Sequence, residues 1–184
     1  MDNLNKFYEL INSQFTYGGQ KYAQTKEKEA TDVLFDDFGK NWLFGTLAKY
    51  VKRYKNIARE KDLLKIACYS FIIWLKRGFH YGEYGTNEII NTTVKAKTEY
   101  YPTFQEKTRE FIIHYLEQPY ANNYLDIIYG QLKIFSEIDF QNINASELYN
   151  IFALCFIIWN NDIKNKGTDE DVYNERRKKW LMNS

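Results

Sequence analysis

Glu29-Ala30-Thr31-Asp32 sets two carboxylates three positions apart, with Asp36 a turn further on. On a helix this spacing puts them on one face. Carboxylates so arranged can hold Mg²⁺, a hard cation that takes oxygen ligands and keeps waters for a phosphate-bearing substrate. Glu60 and Asp62 stand at the junction of two expected helices and offer the other half of such a site from a facing element. Close by in sequence lie Lys49, Lys52, Arg53, Lys55 and Arg59, cations suited to phosphate oxygens or another polyanion. Tyr50 and Tyr54 are interleaved with them, as would suit stacking on bases. Taken alone, an E-x-x-D pair and a basic run equally describe solvated helix faces.

Nucleophilic chemistry has no comparable set. Cys68 and Cys155 lie inside apolar runs, where free cysteine behaves as a small buried hydrophobe. His80 and His114 occupy unrelated segments without metal-ligand spacing. Neither a G-x-S-x-G elbow nor a G-x-x-x-x-G-K-[ST] loop occurs. No catalytic residue is assigned from the sequence.

The elements that must position these groups read as helices throughout. Apolar residues recur at three- and four-residue intervals, and no alternating run bounded by turn signals interrupts them. The chain of 184 residues carries 33 aromatic residues (16 Tyr, 13 Phe, 4 Trp) with only 2 Pro and 9 Gly, so it has material for one sizeable core. The expectation is a single all-α domain over 1–184, a bundle of eight to nine helices. Helices are expected over 2–14, 26–38, 41–58, 61–77, 103–117, 122–137 and 145–161, with a last one opened by Thr168 and Asp171. Tyr17-Gly18-Gly19 is expected to break the first, and Gly39 to cap the second, whose buried face is Ala30, Val33, Leu34 and Phe38. The run after Lys65 is apolar almost all round, which predicts a central helix ending at Gly78. Pro102 followed by Thr103-Phe104-Gln105-Glu106 reads as a capping box, and Asn144-Ala145-Ser146-Glu147 as another. Residues 79–101 give no clear reading.

Phe44-Gly45-Thr46-Leu47 and Phe71-Ile72-Ile73-Trp74 recur as Tyr129-Gly130-Gln131-Leu132 and Phe156-Ile157-Ile158-Trp159 at one shared offset. This describes either two related helical hairpins, 41–77 and 126–162, or two core helices that converged on similar runs. The formal charge of +1 hides a split: residues 46–80 carry +7 and residues 81–150 carry −5. A disordered acidic tail or a basic arm is therefore excluded as the governing feature, while a localised charged face is not. The most hydrophobic runs, 66–75 and 151–159, are too short to span a bilayer, which needs about 20 residues. With no basic-then-apolar leader at the N-terminus, no membrane partner and a cytoplasmic setting are expected.

Gly19-Gln20-Lys21-Tyr22, Asn41-Trp42-Leu43-Phe44-Gly45, Lys49-Tyr50-Val51-Lys52-Arg53-Tyr54-Lys55 and Glu60-Lys61-Asp62-Leu63-Leu64-Lys65-Ile66-Ala67 resemble small helical proteins of phages and mobile elements. Two groups carry the resemblance over about residues 17–77. One is the dATP/dGTP diphosphohydrolases of the MazG type; the other is a short phage family loosely labelled as nucleotide kinase. The first implies an Mg²⁺-dependent hydrolysis of a nucleoside triphosphate to monophosphate and pyrophosphate, and a homodimer. Its E-x-x-D helix is matched by Glu29 and Asp32. Its E-E-x-x-E helix is not: Glu60 and Asp62 are two apart, which leaves room for a degenerate member that binds nucleotide without hydrolysing it. The alternative is a non-enzymatic inhibitor of a host defence complex, of anti-CRISPR or other anti-defence type, acting through an acidic or basic protein surface. Direct nucleic-acid binding is a third option.

Overall fold

The computed structural model describes residues 2–22 and 29–166, and side chains for 2–15 and 29–162. The described residues form six α-helices and a short 3₁₀ turn: α1 (Asp2–Tyr22), α2 (Ala30–Ile57), α3 (Glu60–Lys76), α4 (Val94–Leu116), α5 (Tyr124–Glu137), the turn Phe140–Asn142, and α6 (Ala145–Lys166). The all-α expectation holds, with fewer and longer helices than expected. The helix expected after Thr168 lies outside the described residues.

Three differences have physical causes. First, α1 continues through Gly18-Gly19 to Tyr22. Glycine inside a helix costs roughly 1 kcal/mol without forbidding it, and Phe7, Ile11 and Phe15 anchor α1 in the core. Second, where the expected helices over 26–38 and 41–58 fall on described residues they form one element, Ala30–Ile57, kinked at Gly39 (φ 65°, ψ −165°), residues 26–28 lying outside the described residues. That backbone conformation is open to glycine and strained for other residues, so the expected cap position is the position of the kink. Third, the capping box at 103–106 does not open a helix. Thr93 caps α4 instead, its hydroxyl accepting from the Ala96 N–H at 3.1 Å, and Pro102 sits inside the helix. The missing proline N–H is tolerated because Tyr101 and Phe104 on either side are buried against other elements.

Helix α3 is the central element, as its all-round apolar surface predicts. It packs on α1, α2, α4 and α6. Phe71 and Trp74 of α3 meet Phe104 of α4 at ring-centroid distances of 5.1 and 5.5 Å, and Phe104 in turn meets Phe152 of α6 at 5.2 Å. The two segments that share the sequence echo pack like on like, α3 against α6 and α2 against α5. Their matched tryptophans exchange hydrogen bonds across the core. Trp74 donates its indole N–H to the Tyr149 hydroxyl on α6 at 2.8 Å, and Trp159 donates to Glu60 Oε1 on α3 at 2.7 Å. At the start of α6, Glu147 Oε2 accepts from the Asn144 N–H at 3.0 Å, the reach-back bond of the expected capping motif. Among the described residues no helix is long and apolar enough to cross a membrane.

Candidate functional site

A tight connection joins α2 to α3. Ala58 takes a left-handed conformation (φ 48°), and its N–H bonds to the Tyr54 carbonyl at 2.7 Å. The two helices run back antiparallel from this turn, and Arg59 caps α3. From Arg59 a stripe along α3 lines a pocket: Lys61, Lys65, Cys68, Tyr69 and Ile72, spaced to fall on one helical face. Ser13, Gln14 and Phe15 of α1 close another side. Ala30, Thr31, Leu34, Trp42 and Tyr50 of α2 contribute the facing wall, together with Glu29 before α2 and Lys97 of α4. The cavity volume is about 740 Å³, in the range of small-molecule sites.

Charge in this pocket is uneven. Lys97 Nζ donates to Glu29 Oε2 at 2.5 Å, and both side chains are largely buried. Burial pushes the Glu29 carboxyl up, against the pull of Lys97. Glu29 Oε1 is buried and has no hydrogen-bond partner among the described residues. Among the described residues, Arg59, Lys61 and Lys65 have no carboxylate partner. Lys65 Nζ lies 5.0 Å from the centre of the Tyr50 ring, and Lys49 and Arg53 approach the same ring at 5.3 and 5.4 Å. Burial pushes the Cys68 thiol up to about 12, so it lines the pocket as an unreactive hydrophobe. Burial likewise raises the Cys155 thiol, in the core.

The four carboxylates expected to share a metal do not converge. Asp32 is fully buried and engaged by Lys76, by the Thr92 N–H at 3.0 and 3.1 Å, and by the Thr92 hydroxyl at 3.0 Å. Its Oδ2 also accepts from the Glu29 N–H at 3.3 Å, so the E-x-x-D spacing serves the start of α2. Asp62 is fully buried in a two-point ion pair with Arg53. Glu60 accepts the Trp159 indole N–H. Among the described residues no group of three or more His, Cys, Asp or Glu could hold a metal ion. The donor set therefore does not fit a shared Mg²⁺ site of the MazG type.

The expected polyanion face is also divided. Arg53 is committed to Asp62, and Lys55 pairs with Asp126 at 2.6 Å on the surface. Lys52 lies over the Tyr129 ring at 5.3 Å, and Lys49 points outward beside Tyr50. Of the five expected cations only Arg59 lines the pocket. Lys61 and Lys65 continue the same basic run and are marked by it. Lys97 carried no local signal, because its partner Glu29 is 68 positions away. The expected buried face of the segment before Gly39 is rotated: Asp32 and Phe35 face inward, while Phe38 is 64% exposed.

One further surface stands out. Between α3 and α4, the Arg77 guanidinium donates to the Thr86 carbonyl at 2.7 Å and the Tyr84 carbonyl at 3.3 Å. Gly85 turns there at φ +68°, where a Cβ would meet the Arg77 carbonyl at 2.2 Å. This pinned loop presents Tyr81 and Tyr84 to solvent, 67% and 88% exposed.

Comparison with protein-family models, curated proteins and solved structures finds no significant match to this chain.

Proposed function

We propose that the chain binds a nucleotide in the pocket between α1, α2, α3 and α4, its phosphates on Arg59, Lys61 and Lys65 and its ring system against the aromatic wall of Trp42, Tyr50 and Tyr69. The observation that carries this reading is the gathering of three cations without carboxylate partners among the described residues on the lining of one aromatic-walled cavity. Those cations stand at the N-terminus of α3, whose free N–H groups and dipole add to the attraction for an anion. The resemblance to nucleotide-handling phage proteins points to the same ligand class. Because the carboxylates are committed elsewhere, the reading is of a binder that needs no carboxylate-held metal.

Calorimetric titration with ATP and GTP, with and without Mg²⁺, tests this. Saturable binding is expected in both conditions, tighter for triphosphates than for monophosphates. The double substitution Lys61→Ala, Lys65→Ala is expected to weaken it roughly 10- to 100-fold, at about 1.5–3 kcal/mol per charged hydrogen bond lost and with partial compensation by Arg59. Absence of saturable binding at millimolar nucleotide would refute the reading. Mg²⁺-dependent pyrophosphate release would replace it with a hydrolase.

A second reading rests on the pinned tyrosine loop. An exposed aromatic pair held in place by Arg77 before any partner arrives suits protein recognition, because little ordering entropy remains to be lost on binding. In this reading the chain is the non-enzymatic inhibitor of a host complex. Substituting Tyr81→Ser and Tyr84→Ser is expected to abolish capture of a stoichiometric partner from host lysate and to leave nucleotide affinity unchanged. Undiminished capture would remove the loop from consideration.

A further inference from the structure

We infer that the nucleotide of this pocket is one unit of a single-stranded nucleic acid, whose neighbouring phosphates lie on the outer face of the α2–α3 hairpin; this rests on the nucleotide-binding reading above. The pocket and that face share a residue. The Tyr50 ring lines the cavity. Lys65, also of the lining, stands 5.0 Å from the ring centre, and Lys49, outside the cavity, stands 5.3 Å from the same centre. The cationic surface therefore runs out of the pocket without a break. Lys52, one turn beyond Lys49 on α2, carries it onward and lies 5.3 Å from the Tyr129 ring centre of α5. Both lysines are exposed, and neither has a carboxylate partner among the described residues.

Charge on this face has one sign. Residues 46–80 hold two carboxylates, Glu60 and Asp62, and the fold occupies both. Asp62 is fully buried in its pair with Arg53, and Glu60 accepts the Trp159 indole N–H. At the edge toward α5, Asp126 meets Lys55 and ends the run. Lys49, Lys52, Arg59, Lys61 and Lys65 are thus like charges gathered on one hairpin, an arrangement that repels itself in the free protein and is relieved by a chain of anions. A free nucleotide neutralises the pocket cations and leaves Lys49 and Lys52 unmatched. A phosphodiester strand reaches both. A single strand fits better than a duplex, because only an unstacked base can enter the cavity and lie against Trp42, Tyr50 and Tyr69. The same cavity separates a nucleic acid from an acidic protein, whose carboxylates carry no ring to fill it.

Fluorescence anisotropy of the full chain with a labelled oligothymidylate of about 12 nucleotides, within the usual site size of single-strand binders, tests the assignment beside calorimetric titration with dTTP. Duplex DNA of the same length and poly-glutamate serve as comparison probes. The oligonucleotide is expected to bind at least about tenfold tighter than dTTP at about 0.1 M NaCl, with log K falling against log[salt] at a slope of about −3.5, or about −0.7 for each of the cations above. The double substitution Lys49→Ala, Lys52→Ala lies on exposed positions outside the pocket. It is expected to weaken the oligonucleotide at least about tenfold and bring the slope to about −2, while dTTP stays within about threefold. Oligonucleotide binding no tighter than dTTP overturns the inference and leaves the nucleotide reading standing, as does a double variant that binds the oligonucleotide like the unmodified chain. Duplex or poly-glutamate binding as tight as the single strand likewise overturns it. Absence of dTTP binding overturns the nucleotide reading and this inference with it.

Discussion

Replacing Lys76 by Met lowers the unfolding free energy by about 3–5 kcal/mol, the range for breaking a buried ion pair from one side. Lys76 and Asp32 are both fully buried, and the Lys76 ammonium also lies 5.0 Å from the Phe35 ring centre. Without it Asp32 keeps its Thr92 donors and loses the cation that neutralises it. Asp32→Asn strands the ammonium instead, with a loss of similar size. The double variant removes both charges and is expected to be more stable than either single variant, giving a coupling energy that isolates the pair. The pH dependence identifies the group. Burial alone would raise the Asp32 carboxyl; Lys76, with the N–H groups of Thr92 and Glu29, outweighs burial and holds it below its ordinary value. A carboxyl depressed in the folded state contributes stability that is complete above its unfolded pKa and is lost as pH falls through the folded one. The unmodified chain therefore loses this contribution only below about pH 4. In Lys76→Met burial is no longer opposed by the ammonium and the Asp32 pKa rises. The sign then reverses: the variant's deficit shrinks as pH falls from 7, because the neutral carboxyl is tolerated. Urea unfolding of both proteins across pH 4–7 measures this. A deficit constant over that range would exclude Asp32 as the uncompensated charge.

Phe104→Ala is the second large effect, again about 3–5 kcal/mol. Phe104 is fully buried, and its ring meets Phe71, Trp74, Tyr149 and Phe152 within 5.5 Å. Removing the ring empties the contact between α3, α4 and α6 at once. For a chain of this length each kcal/mol shifts Tm by roughly 2–4 °C, so a drop of about 6–20 °C is expected in a thermal melt. Ile134→Ala, on the half-exposed outer face of α5, is the control and stays within about 0.5 kcal/mol. The comparison also bears on α4. A helix beginning at 103 would carry Phe104 in its fraying first turn, where truncation is mild; the continuous helix from Val94 places it mid-element.

What was legible in the sequence was what local chemistry decides. The ten-residue apolar run of α3 has no polar face to turn toward water, so its central place followed. Gly39 and Gly78 sit at positive φ where a helix kinks or stops, and Glu147 reaches back to its own cap region. The site was less legible because its defining pairs are distant in the chain. Asp32 falls on a polar stripe by periodicity, yet it is buried by Lys76 and Thr92, 44 and 60 positions away. The basic run at 49–65 was visible as charge. Its division into committed and uncommitted cations was not, since Asp62 and Asp126 claim Arg53 and Lys55 only once α2 is folded back on α3 and α5. Residues 79–101 resisted reading because α4 draws its stability from burial of Lys97, Tyr101 and Phe104 rather than from its threonine-rich start.

The crossed indole bonds have a consequence for synthesis. Trp74 and Tyr149 are 75 positions apart, and Glu60 and Trp159 are 99 apart. At a translation rate of roughly 5–20 residues per second, α3 leaves the ribosome about 4–15 s before the surface that covers it. During that interval the most apolar helix of the chain has α1, α2 and then α4 to lean on, and bare aromatic rings where α6 will dock. A chain ended before residue 145 therefore lacks the surface that covers these rings and is expected to be a sticky fragment rather than a smaller folded protein.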